Sequence, residues 1–400
     1  MVIRKKHSEI VNHISQKEFT ILIGARQIGK STLLKQIVEE LKSNGEIVYF
    51  LNLERKNVLQ ELDLEPENLF KFCPITEGKR IIVMIDEIQY LKDASGFLKL
   101  LYDEYVDRVK IVATGSSAFY IDKDFKDSLA GRKRIFQMPT LDFDEFIDFK
   151  GKTELVSDLI DLRNGKKQKS VYENMFFAML DEYLNYGGYP AVVLENDPSE
   201  KKELLKEIRD SYIKRDILES GVVEEEKLYR LLMVLASQSG NLLNVNELSN
   251  TLRINNSTIE SYLYVLQKCF HISLVRPFYG NLRKELIKMP KIYLNDLGLR
   301  NILINYFAPI EQRADKGALL ENYVFRKLIE KHEPDQVKFW RTADGKEVDF
   351  VIETTFQKGY AVEVKFQEND AKLSKYKIFS AEYPNFPLEF WHWANMNLLL

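Results

Sequence analysis

Three groups of residues have the types and spacing to do chemistry. The first is the run Gly24-Ala25-Arg26-Gln27-Ile28-Gly29-Lys30-Ser31-Thr32, which fits G-x-x-x-x-G-K-[ST]. Glycines at both ends let successive backbone N–H groups turn inward around phosphate oxygens. A helix opening near Lys30 adds its positive dipole end. Lys30 then neutralises the β- and γ-phosphates, and the Ser31 hydroxyl reaches Mg²⁺. Arg26 lies inside the loop, where phosphate contact and a surface ion pair are equally open. The second group is Asp86-Glu87, closing the apolar run Ile81-Ile82-Val83-Met84-Ile85. An acid at the carboxyl end of a buried parallel strand sits at the phosphate-binding edge of such a sheet. Asp86 is placed to hold Mg²⁺ through water, and Glu87 to orient and deprotonate an attacking water. The expected cofactors are ATP and Mg²⁺.

The third group lies near the carboxyl end. Gly345 to Ile352 carries Asp349, Tyr360 to Lys365 carries Glu363 and Lys365, and the preceding helical stretch Gly317 to Lys331 carries Glu321. Residues two apart on a strand share a face, so Glu363 and Lys365 point together. Carboxylates converging with a lysine bind Mg²⁺, activate water and stabilise a phosphorane-like transition state. The same charges also suit a fold that uses them only structurally.

The elements that must position these groups alternate in type. Phe19 to Ile23 is a β-rich run, and Leu33, Leu34, Ile37, Val38 and Leu41 recur at helical spacing after the glycine loop. Further strands are expected at 47–53, 80–85, 110–113 and 134–138. The continuous apolar character of 81–85 indicates a strand covered on both faces, as in a parallel sheet. This predicts a three-layer α/β domain over 1–150. Residues 151–222 read as a helical lid or connector. Within it, Gly151 to Ser170 is polar and reads as including a mobile loop, and Lys201 to Glu219 reads as an amphipathic helix. Residues 223–300 read helix, helix, helix, then two strands flanking a loop with Arg283, Lys284 and Lys288. That is a winged-helix layout. Residues 301–400 form a last α/β domain.

The runs Gly24 to Ser31, Ile85-Asp86-Glu87-Ile88-Gln89, Ala113-Thr114-Gly115-Ser116-Ser117 and Leu129-Ala130-Gly131-Arg132 together resemble a bacterial and archaeal AAA-type ATPase family. So do Tyr186-Gly187-Gly188-Tyr189-Pro190 and Tyr293-Leu294-Asn295-Asp296-Leu297-Gly298-Leu299. In that family a P-loop module is joined to a C-terminal domain of unknown function, and the likeness covers essentially the whole chain. It implies that Ser116 is a polar sensor near the γ-phosphate and that Arg132 senses nucleotide or acts as an arginine finger, in cis or in trans. A serine cap and a surface charge are the plainer readings of those two positions. The resemblance also makes 151–222 the ATPase lid, which brings Tyr212 to Asp216 toward nucleotide; solvated charge on a helix face is the alternative. The third group resembles the PD-(D/E)xK nuclease fold, with Glu321 as the helix acid and Asp349, Glu363 and Lys365 in the metal and catalytic positions. Asp349 follows Val348 rather than proline.

Composition excludes several classes. With 45% apolar, 29% charged and 12% aromatic residues in 400, the chain has material for two to four cores at roughly 100–200 residues each. The apolar runs are strand-length, so no membrane partner is expected. The amino terminus lacks the features of a signal peptide, and a cytoplasmic location is expected. Cys73 and Cys269 are the only cysteines, which excludes a disulfide framework and a four-cysteine zinc site. The five histidines show no ligand spacing. A net charge of −3 leaves nucleic-acid binding to local patches such as Arg253, Lys268, Arg276 and Arg283. The expected function is Mg²⁺-dependent ATP hydrolysis that repositions a winged helix and a nuclease-like module. Double-stranded DNA, a protein partner and a homo-oligomer are open as partners. The alternatives are an ATP-gated DNA endonuclease and a non-hydrolysing ATP-dependent scaffold.

Overall fold

The computed structural model describes residues 2–115, 129–167, 169–212, 224–279, 282–370 and 372–394. Ser116, Ser117, Lys214, Arg215 and Asp216 lie outside them, as does the side chain of Tyr212. The chain divides into two compact units, residues 1–139 with 268–270, and residues 140–267 with 271–400.

In the first unit the order is α1 (Lys6–Ile14), β1 (Phe19–Ile23), α2 (Lys30–Ser43), β2 (Val48–Asn52), α3 (Lys56–Leu64), α4 (Leu69–Phe72), β3 (Ile81–Asp86), α5 (Ala94–Tyr105), β4 (Val109–Gly115) and β5 (Lys133–Gln137). The five strands are parallel in the order β2-β3-β4-β1-β5. Every residue of β1, β3 and β4 is buried. This is the condition that makes them read as unbroken apolar runs. Leu33, Leu34, Ile37 and Leu41 turn the buried stripe of α2 toward the sheet.

The amino-terminal edge of this sheet carries a buried polar knot. Lys110 of β4 is fully buried, and its Nζ donates to the carbonyls of His13 (2.9 Å) and Gln16 (3.2 Å), and to that of Glu18. These carbonyls end α1 and the turn after it, so one ammonium satisfies groups that would otherwise be orphaned. His13 Nδ1 lies 2.8 Å from Thr20 Oγ1, and its ring meets Phe136 edge-on at 5.2 Å.

The second unit begins with α6 (Phe143–Phe149), α7 (Thr153–Arg163), α8 (Glu173–Tyr186), α9 (Pro190–Leu194) and α10 (Pro198–Glu207). Within 151–170, expected to be polar and to include a mobile loop, Thr153–Arg163 form helix α7, and 164–167 and 169–170 lie outside helices and strands. Leu155 and Leu159, one turn apart, are buried, and buried Asp158 accepts hydrogen bonds from Lys167 (2.6 Å) and Ser170. Of the helix expected from Lys201 to Glu219, the part to Glu207 lies in α10, which passes into a π-helical turn at Ile208–Tyr212, and 213–219 lie outside the described residues. Next come α11 (Glu225–Ser237), α12 (Val245–Leu252), α13 (Asn256–Lys268) and an antiparallel pair, β6 (Ile272–Val275) and β7 (Lys291–Leu294). The segment between the strands, expected as a loop, contains the short helix α14 (Leu282–Ile287). Its Glu285 is buried and accepts from Lys338 at 2.9 Å.

The chain ends with α15 (Leu297–Leu303), α16 (Lys316–Lys331), β8 (Val337–Arg341), β9 (Glu347–Thr355), β10 (Lys358–Lys365), α17 (Lys377–Glu382) and β11 (Leu388–His392). The sheet order is β11-β10-β9-β8, with β10 and β11 parallel and the other neighbours antiparallel. The two motifs around Gly187 and Asp296 interlock. Asp296 caps α15 through the Leu299 N–H (2.9 Å) and accepts the Gly188 N–H (2.9 Å). A Cβ on Gly188 would collide with the Leu141 carbonyl, and one on Gly298 with the Tyr186 carbonyl. Glycine is required there for close backbone approach. Among the described residues, no helix is long and apolar enough to cross a membrane.

Burial, with the Lys110 and Arg134 charges adding, holds the His13 imidazole down at about 4. An unfolded chain takes up that proton near 6.5. Stability from neutral His13 is therefore present above pH 6.5 and lost as pH falls toward 4. We expect amide-exchange protection of Thr20 to Ile23 to drop by about 2–3 kcal/mol over that interval. His13→Asn should flatten the drop, and an unchanged slope in that variant would exclude His13 as its source.

Candidate functional site

The carboxyl-terminal edge of the parallel sheet collects the first two chemical groups. The glycine loop leaves β1 and enters α2 through Gly29, whose left-handed backbone (φ 94°, ψ 20°) begins the helix. No side chain caps this helix start, and its first turn carries no acid. An uncapped helix start of this kind suits an anion. Gly24 is needed for space, since a Cβ there would collide with the Met138 carbonyl at the end of β5. Lys30 is buried, and its Nζ donates to the carbonyls of Gly24 (2.9 Å) and Ala25 (2.7 Å). Ala25, Arg26 and Ile28 are buried, Ser31 is half-buried, and Gln27 and Thr32 are exposed. Behind the loop, buried Arg4 donates to the Ile28 carbonyl at 2.6 Å and the Pro139 carbonyl at 2.8 Å. Nothing in the local sequence pointed to Arg4, which is 24 residues from its acceptor.

Asp86 ends β3, two strands from β1, with β4 between them. Thr114, near the end of β4, fills the interval. Its hydroxyl donates to Asp86 Oδ1 at 2.6 Å and accepts the Glu87 N–H at 3.0 Å. Asp86 is buried. Glu87 is half-buried and held in the left-handed region (φ 62°, ψ 51°), a conformation costing about 1 kcal/mol or more for a residue with a Cβ. The Gln89 amide donates to Glu87 Oε2. Thr114 lay within a motif singled out by sequence, yet its bridging part was missed. Ser116 lies outside the described residues.

Arg132 is not brought to the loop of its own chain. It precedes β5, and its carbonyl accepts from the N–H of Phe19, the first residue of β1. The full length of β1, about 15 Å of strand, separates that position from Gly24. Its guanidinium pairs with Asp103 of α5, Nε to Oδ1 at 2.6 Å and Nη2 to Oδ2 at 3.1 Å.

The four C-terminal residues do come together. Asp349 Oδ2 accepts the Val364 N–H at 2.9 Å, and Glu363 Oε2 accepts the Asp349 N–H at 3.2 Å. Lys365 Nζ donates to Glu363 Oε1, which also accepts from Tyr376 at 2.7 Å. Glu321 of α16 joins through Lys291, which sequence reasoning placed only on a strand. Lys291 Nζ lies 3.0 Å from Glu321 Oε1, 2.5 Å from Glu347 Oε1 and 3.6 Å from Asp349 Oδ1. Tyr293 donates to Glu321 at 2.6 Å. Burial pushes Glu321 up to about 7 against the pull of Lys291; burial and Asp349 push Glu363 up to about 7 against Lys365. Glu347 was missed, although its place two residues before Asp349 puts both on one face of β9. Among the described residues, no three or more acidic, histidine or cysteine side chains are arranged to hold a metal ion.

On α13, the exposed residues are Asn256, Ser257, Glu260, Ser261 and Tyr264. None of these is basic; exposed basic side chains occur before and after the helix in sequence, at Arg253, Arg276, Arg283 and Lys288.

The Thr114 bridge has a measurable worth. Thr114→Val should leave a buried carboxylate one donor short and the Glu87 N–H unpaired, lowering stability by about 1–3 kcal/mol in urea unfolding. Thr114→Ser should stay near the wild type. Equal losses in both would assign the effect to the methyl group instead.

Comparison with known proteins matches successive parts of the chain to family models. Residues 16–147 match the family model of the AAA domain, 178–309 that of a domain of unknown function (DUF8612), and 316–391 that of another (DUF4143). An uncharacterized protein of Haemophilus influenzae is 27% identical over 363 residues, covering 88% of this chain and 84% of its own. An uncharacterized protein of Methanocaldococcus jannaschii is 26% identical over 387 residues, covering 93% and 80%. Among solved structures, the Aeropyrum pernix ORC2 protein covers 76% of this chain and 94% of its own at 13% identity, with a TM-score of 0.39. DnaA from Aquifex aeolicus bound to AMPPCP covers 67% and 89% at 16% identity, with a TM-score of 0.32. The amino-terminal unit carries an AAA-type P-loop fold.

Proposed function

We propose that the chain binds and hydrolyses ATP with Mg²⁺ at the carboxyl-terminal edge of its parallel sheet, and that the nucleotide state is read out by the residues beyond 140. The observation that carries this reading is the uncapped start of α2 behind a complete glycine loop, on the same sheet edge as the Asp86–Thr114–Glu87 bridge. The residues present fit the ligand. Backbone N–H groups of 25–32 wrap the phosphates, and Lys30 exchanges its loop carbonyls for phosphate oxygens. Ser31 and Asp86 hold the ion, which when bound neutralises charge on the terminal phosphates. Thr114 keeps Asp86 turned in one orientation and fixes the backbone of Glu87. Glu87 then orients a water and accepts its proton. Its left-handed backbone is the kind of local strain that surrounding hydrogen bonds hold in place at reactive sites.

Arg132 acts in trans in this reading, since its own loop lies at the far end of β1. Ser116 takes the sensor part that the motif implies. For the residues after 140, the three helices and the β6–β7 pair support a winged helix. The polar face of α13 gives no charge-based preference for DNA over protein. ATPase rates with and without double-stranded DNA on one preparation distinguish the two: stimulation supports DNA, and its absence supports a protein partner.

Lys30→Ala should abolish nucleotide binding and turnover. Glu87→Gln should still bind ATP but turn it over roughly 10²-fold more slowly or worse. Full activity in purified Glu87→Gln protein would refute the proton-accepting role. If Arg132 completes another copy's site, the rate per molecule falls on dilution. Mixing Arg132→Ala with Lys30→Ala should then restore activity that neither has alone. A rate independent of dilution, with no complementation, would remove the trans role.

A further inference from the structure

We propose that Lys291 is the resident cation of the C-terminal carboxylate cluster. It stands where a divalent ion would otherwise sit, so metal is kept out while β7 holds its place. The inference is independent of the ATPase reading. Lys291 is only 2% exposed, and its ammonium is met by carboxylates from two elements, Glu321 on α16 and Glu347 and Asp349 on β9. An ammonium has three N–H donors and no acceptor, which matches three surrounding acceptors. The face of Phe339 lies 5.6 Å from Nζ and adds a cation–π contact.

Further donors meet the same carboxylates. Tyr293 donates to Glu321, Arg341 pairs with Glu347 Oε2 at 2.6 Å, and the Val364 N–H donates to Asp349 Oδ2. Glu363 is occupied by Lys365, Tyr376 and the Asp349 N–H. Mg²⁺ or Mn²⁺ needs oxygens converging at about 2.0–2.2 Å on one point. Oxygens spread 2.5–3.6 Å from an ammonium do not provide that point, and two cations cannot share the space. Removing one partner of a buried charge set leaves the others uncompensated, which is strongly destabilising. Deleting the lysine should therefore both weaken the fold and create a demand for another cation. Since Lys291 is carried by β7, the cluster also ties the β6–β7 pair to α16 and β9.

The test is Mn²⁺ titration of the full chain without nucleotide, by calorimetry and by Mn²⁺ paramagnetic resonance. Wild type and Asp349→Asn should give the same isotherm. Lys291→Met should gain about one Mn²⁺ equivalent that Lys291→Met/Asp349→Asn lacks, and its melting temperature should fall in chelator and recover with Mn²⁺. A wild-type Mn²⁺ site that Asp349→Asn removes would overturn the proposal, as would a folded Lys291→Met that gains none. Should Lys291→Met not fold, Lys291→Arg decides: charge is kept, so it should fold and exclude Mn²⁺, and an Asp349-dependent site in it overturns the proposal.

Discussion

Five parallel strands must all end on the same edge of their sheet, and most of the chemistry proposed for the first unit depends on that constraint. The loop after β1, the acid at the end of β3 and the threonine near the end of β4 are far apart in sequence, yet shared strand direction delivers them to one rim. The opposite rim carries the amino-terminal ends. It is stabilised by the Lys110 knot, where an ammonium is affordable only because several carbonyls receive it. One rim is thus closed by internal hydrogen bonds, while the other carries the glycine loop and a start of α2 that no side chain caps.

The second unit meets a similar demand by different means. Its interlocked turns, Gly187-Gly188 against Asp296 and Gly298, substitute backbone contact for side-chain packing. Its charged interior is satisfied in clusters, as where Arg300 and Arg313 both reach Asp315. Buried charge of this kind adds little net stability but tolerates few alternative arrangements. It holds α16 and the C-terminal sheet in one relationship.

How much was legible in the sequence follows from range. The central strands of the first unit were readable because burial on both faces makes them mostly apolar, most plainly in 81–85. The glycine loop was readable because its parts are contiguous. Helix α7 was not, because Gly151 to Glu154 before its apolar residues and Asn164 to Ser170 after them read together as one polar segment. The Thr114 bridge joins residues 28 apart, and Arg4 reaches a carbonyl 24 residues away. Neither distance leaves a local trace. Lys291 is the clearest case. A lone lysine at the start of a short strand reads as solvent-facing, and only tertiary structure brings α16 and β9 around it. Spacing did reveal that Glu363 and Lys365 share a face, but not which charges answer them.

The location of Arg132 sets a geometric condition on the proposed trans role. It and the glycine loop occupy opposite ends of β1, so the copy that lends its arginine must bring its own β1 start beside its neighbour's β1 end. A twofold pair meets that condition by making the contact twice, each arginine to the other's loop. A head-to-tail array makes it once per joint, ending in a ring when the rotation closes and in a filament when it does not.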